Sequence, residues 1–93
     1  MNQIADTKLG EYYVTVMDGP RWTKLLGPFT NNHQAALDMM DAVREKTIEL
    51  YPIAHFYAFG TCRIDGEDKV PIRAGKLNQY FGLPTKREEQ ETD

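Results

Sequence analysis

Apolar and polar positions alternate with a period of two over residues 11–17. Tyr12, Val14 and Val16 fall on one face and Tyr13, Thr15 and Met17 on the other, the signature of a half-buried strand. Asp18-Gly19-Pro20 supplies turn chemistry, and residues 21–26 read as the returning arm of a hairpin. The register of that arm is open, because a slip of one residue exchanges Trp22 and Lys24 between core and solvent. Gly27-Pro28-Phe29 then breaks the strand and leads into a helix. Asn31 and Gln34 stand at the N-cap and N3 spacing of a capping box. Ala36, Met40, Val43, Thr47 and Leu50 recur every three or four residues, with Leu37, Met39 and Ile48 at the margins of the stripe. The spacing predicts one helix over about 32–50, ended by Pro52.

A third strand is expected over residues 54–64. Phe56, Ala58, Gly60, Cys62 and Ile64 would form one face, and His55, Tyr57, Phe59, Thr61 and Arg63 the other. The first set is small in its middle, which suits a helix lying close across it. Asp65-Gly66 signals a turn, residues 69–72 a short edge strand limited by Pro71, and residues 74–81 one or two helical turns anchored by Leu77, Tyr80 and Phe81. The expected architecture is α+β, in the order β-β-α-β. A three-stranded antiparallel sheet carries one long helix across one face, with a short C-terminal appendage. Residues 1–10 read as a loose leader, 11–83 as a single domain, and 84–93 as a charged, disordered tail.

Composition narrows the function classes. At 93 residues, with 41% hydrophobic and 27% charged positions, the chain is sized for one core and lies outside the disordered range. No apolar run reaches the length of a membrane span. The first residues lack the basic start and apolar stretch of a signal peptide. Cys62 is the single cysteine, so a reducing, cytoplasmic setting is expected. The net charge is −3. Residues 1–83 hold nine cationic and ten acidic side chains, hence −1, and residues 84–93 hold two and four, hence −2. A nearly neutral body argues against strong non-specific DNA binding, although a local basic patch remains open.

No set of residues is arranged for catalysis, for a metal or for a cofactor. His33 and His55 have no cysteine or second histidine at ligand spacing, and neither has an identifiable catalytic partner. Cys62 sits on the expected inward face, where an inert thiol is the ordinary outcome. Gly19, Gly27 and Gly60 match no phosphate-binding pattern. Two surfaces remain. One is the polar side of the helix, where Asp38, Asp41, Glu45 and Glu49 line up. The other is the expected outer sheet face. There Tyr57, Phe59 and Arg63 would stand beside Tyr13 and Thr15, joined by Arg21 or Lys24 according to register. Rings beside guanidinium groups on an open sheet suit single-stranded nucleic acid. The same set, with Trp22, suits a protein interface. The ordinary alternative is that residues 74–83 cover these rings as a second small core. Lys69, Arg73 and Lys76 form a further basic cluster able to meet a phosphate backbone.

Tyr12-Tyr13-Val14, Gly27-Pro28-Phe29 and Phe56-Tyr57-Ala58-Phe59-Gly60-Thr61 together resemble small proteins carried by bacteriophages, among them anti-CRISPR proteins directed at type I-F systems. The resemblance covers about residues 11–64. It implies a non-enzymatic inhibitor, in the cytoplasm of a host bacterium, that docks on the multi-subunit RNA-guided surveillance complex. Such a protein would keep target DNA from pairing with the guide. The acidic helix side would then meet basic Cas subunits, and the basic and aromatic sheet residues would touch guide RNA. Tyr-Val strands and Gly-Pro-Phe before a helix also occur in peptidoglycan-binding SPOR domains, but there the strand pattern around Gly-Pro-Phe differs.

Overall fold

The computed structural model describes residues 5–65 and 72–85. Strand β1 (Glu11–Asp18) and strand β2 (Arg21–Thr30) form the hairpin, helices α1 (His33–Asp38) and α2 (Met40–Leu50) follow, and strand β3 (Ala58–Ile64) completes the sheet. The order across the sheet is β2-β1-β3, antiparallel throughout. The α+β arrangement of a three-stranded antiparallel sheet with helix across one face is therefore the fold. Among the described residues, no helix is long and apolar enough to cross a membrane.

The hairpin closes through two residues, Gly19 and Pro20, with Asp18 opposite Arg21 and Gly19 at φ 63. This register pairs Met17 with Trp22 and Thr15 with Lys24. Opposed residues of an antiparallel pair share a face, so both Trp22 and Lys24 stand on the side away from the helices. Strand β2 does not end before Gly27, as the sequence suggests, but runs on to Thr30. Two register shifts make this possible. Gly27 and Pro28 lie between the residues facing Tyr12 and Val14, and Leu25 lies between those facing Val14 and Thr15. A bulge accommodates a proline without a ladder N–H. The bulge at Leu25 also interrupts alternation, so that Leu25 and Leu26 both join the core.

The helical segment is broken at Met39, where φ −96 and ψ −2 mark the end of α1 and the cap of α2. The cap of α1 is Asn32, whose side-chain oxygen accepts the Ala35 N–H at 3.1 Å, rather than Asn31. Asn31 adopts φ 54 and instead accepts the Gly10 N–H. Ala36, Val43 and Thr47 are buried as the periodicity predicts. Ala36 and Val43 share one core with Tyr12, Val14, Val16, Leu25 and Leu26 of the sheet.

The expected faces of β3 are reversed. Residues 52–56 form a 3-10 turn rather than the start of a strand. The register that follows sets Phe59 opposite Val16, Thr61 opposite Val14 and Arg63 opposite Tyr12. Phe59, Thr61 and Arg63 of β3 thus share the face that carries the helices, where Phe59 and, just before the strand, Tyr57 pack against the core. Ala58, Gly60 and Cys62, expected beneath the helix, are on the opposite side.

Residues 75–77 fasten a strap along the free edge of β2. Gly75, Lys76 and Leu77 donate their N–H groups to the carbonyls of Gly27, Lys24 and Leu25 at 3.0, 3.2 and 2.7 Å. A side chain at Gly75 would meet the Leu25 and Leu26 backbone at 2.6 Å, so only glycine permits this approach. Asn78 locks the strap. Its Oδ1 accepts the Gly27 N–H at 3.1 Å, and its Nδ2 donates to the carbonyls of Gly27 and Pro84. A short 3-10 turn (Asn78–Phe81) then returns Phe81 to the core margin.

Candidate interaction surfaces

The polar helix side is as the sequence predicts. Asp38, Asp41, Glu45 and Glu49 are all exposed, and their spacing aligns them on one side of α1 and α2. Asp41, Glu45 and Glu49 belong to α2, and Asp38 ends α1 just before the break at Met39. Gln34 donates to Asp38 Oδ1 at 2.7 Å, and Lys46 pairs with Glu49 at 3.1 Å.

The helix-free sheet face differs in membership from expectation. Tyr57, Phe59 and Arg63 are absent from it, because the register of β3 turns them toward the helices. Arg63 is committed elsewhere. Its Nη1 donates to the Leu9 carbonyl at 3.0 Å and to Asp65 Oδ2 at 3.1 Å, and the hydrogen bond to Asp65 raises its pKa. Tyr57 stands beside Asp18. Desolvation raises its hydroxyl pKa, and the charge of Asp18 and a hydrogen bond to it add to the rise. What the helix-free face does present is Trp22, half exposed at 50%, with Lys24 Nζ lying 5.2 Å from its ring centroid and 5.4 Å from that of Tyr13. Met17 is exposed beside them. Tyr13 is buried there because the strap crosses it, and its hydroxyl donates to the Arg73 carbonyl at 2.7 Å. Cys62 also belongs to this face. Burial pushes its thiol pKa up, against a smaller lowering by Lys24.

The remaining basic residues do not converge. Arg21 is exposed at the hairpin tip, Arg73 is exposed on the strap, and Lys76 is exposed on the helix side. Lys69 lies outside the described residues, as do positions 86–93 and most of the short strand expected over 69–72.

Two features lie outside the expected surfaces. The first is a clasp on residues 6–10. His33 Nδ1 accepts the Asp6 N–H at 2.7 Å, which leaves the proton on Nε2, 2.9 Å from Thr61 Oγ1. Tyr12 stacks on the His33 ring at 4.7 Å and donates its hydroxyl to the Lys8 carbonyl. The expected loose leader is thus tied down over these residues, and His33 serves as its anchor. The second is a cleft of about 590 Å³ between the end of α2, the 52–56 turn and the strap. Leu25, Leu50, Ala54 and Leu77 form its apolar interior, with Tyr51, Ile53, Lys76 and Tyr80 along the rim. The apolar residues after Pro52 are its sequence signal, and they line a 3-10 turn rather than the expected start of a strand.

Comparison with known protein families, with curated proteins and with solved structures gives no match for this chain.

Proposed function

We propose that this protein acts without chemistry of its own, as an inhibitor that docks on the type I-F RNA-guided surveillance complex and keeps target DNA from hybridising with the guide. The observation that carries this reading is the acidic stripe of Asp38, Asp41, Glu45 and Glu49. These four exposed carboxylates recur at three- and four-residue spacing along α1 and α2, and among the described residues Lys46 pairs with one of them, Glu49. A channel that holds a guide–target heteroduplex is lined with cations. A line of carboxylates complements such a surface, speeds encounter with it and fixes orientation. The resemblance of the Tyr-Tyr-Val, Gly-Pro-Phe and Phe-Tyr-Ala-Phe-Gly-Thr segments supplies the particular partner. A pull-down of the assembled complex, with and without guide RNA, tests the proposal. Retention at micromolar protein is expected, and no retention in either arm would remove it.

A second reading is favoured by one observation, the Lys24 ammonium held between Trp22 and Tyr13 on the helix-free sheet face. A half-exposed indole beside a cation suits stacking of a base next to its phosphate. A small single-stranded nucleic-acid-binding module would bind free RNA with a steep salt dependence, and Trp22→Ala would weaken it. Tyr57 and Arg63 no longer belong to that surface. Flat titrations at low salt exclude this reading.

A further inference from the structure

The cleft beside the 52–56 turn is used by neither surface above, yet it has the most exposed apolar rim among the described residues. Tyr51 is 62% exposed, Ile53 59% and Tyr80 46%, and all three line the cleft. Phe56 is 81% exposed. It follows Ile53 by three positions in a 3-10 turn, where side chains three apart stack one above the other. A projecting ring therefore stands on the same side of the same turn as the wall of an open apolar cleft.

We propose that this is a self-association surface, on which two copies of the chain meet about a two-fold axis and each seats Phe56 against the cleft of the other. An isologous contact requires one patch to carry both the projecting and the receiving element, and the 52–56 turn brings the two together. The area is sufficient. The three rings and Ile53 expose roughly 500 Å² per copy, so a pair removes about 1,000 Å², the lower bound for a specific interface. Leu25, Leu50, Ala54 and Leu77 give an incoming phenyl ring apolar contacts in the cleft, and Thr47 beside them already donates its hydroxyl to the Val43 carbonyl at 2.7 Å.

Sedimentation equilibrium of the full chain, from micromolar to sub-millimolar concentration, tests this. A reversible dimer is expected, and Phe56→Glu should raise its dissociation constant at least about tenfold, as for an interface anchor. Far-UV circular dichroism should be unchanged, because Phe56 contributes little to the monomer core. Ile53→Asp provides a second variant on the same turn should the first misfold, and Trp22→Glu on the opposite sheet face should leave the dimer intact. A wild-type chain that stays monomeric throughout overturns the proposal. So does a dimer that survives both turn variants, or one that dissolves on Trp22→Glu alone. None of these outcomes bears on docking through the acidic stripe, which lies on other residues.

Discussion

The two faces of the sheet are made from the same three strands, yet they differ in what their side chains can do. On the helix side, Tyr12, Val14, Val16 and Leu26 meet Ala36 and Val43 with almost no exposure. On the other side, Tyr13 and Thr15 are buried at the centre while Trp22 and Met17 stay open at the hairpin end. The difference comes from what crosses each face. Two helices cover the first, and the strap from Arg73 covers only one end of the second. Stability is therefore concentrated on one side of the sheet, which leaves the other free to vary.

That contrast can be broken most forcefully at Leu26, which is fully buried. Leu26→Ala should cost about 2–5 kcal/mol in urea unfolding, the range for a leucine removed from a packed core. Asn78→Ala is the next largest test. It strips the buried Gly27 N–H of its Asn78 acceptor and leaves the Gly27 carbonyl with the Gly75 N–H alone, and a loss of about 1–3 kcal/mol is expected. Faster amide exchange at Gly27 would locate the damage at the strap. Trp22→Ala, on the open face, should change stability by about 1 kcal/mol or less, since it removes a half-exposed ring and one cation–π contact. A loss at Trp22 equal to that at Leu26 would mean that the two faces are not different in kind.

The smallest effect concerns Cys62. Burial raises its pKa, so the folded protein holds the thiol proton to higher pH than the unfolded chain. The stability this contributes is whole below the ordinary thiol pKa and is lost as pH rises through the raised value. Alkylation near pH 8 should be slower than for a free thiol. Replacing Lys24 by Met should slow it further, because the Lys24 charge favours the thiolate. Faster alkylation in the Lys24 variant would contradict this account of the face.

Much of this contrast is legible in the sequence, and the failures have identifiable causes. The alternation of residues 12–17 and the helical stripe at Ala36, Val43 and Thr47 reflect burial on one side, which sequence periodicity reports directly. The faces of β3 were misassigned because alternation gives two sets without saying which is inward. The small set, Ala58, Gly60 and Cys62, was expected under the helix. The 3-10 turn at residues 52–56 shifts where the strand begins, and pairing with Val16 then places Phe59 inward. Residues 74–81 are expected to turn and anchor through Leu77 and Phe81, but their pairing along the β2 edge has no periodic signal. The strap's contacts to β2 are backbone to backbone, and only Gly75 and Asn78 carry a side-chain requirement. The candidate site divides in the same way. The acidic stripe follows from helix geometry alone, whereas the sheet face depends on long-range register and had to be redrawn around Trp22 and Lys24.

Docking through the acidic stripe is the proposed mode of action. Its most direct test titrates the guide-loaded type I-F complex with wild-type protein and with an Asp41→Lys, Glu45→Lys double variant, reading both binding and target-DNA hybridisation. Both positions are exposed, so the double variant should fold as the wild type does. Under the proposed docking, wild-type protein binds and blocks hybridisation, and charge reversal abolishes both. Binding and inhibition undiminished by the reversal would contradict it.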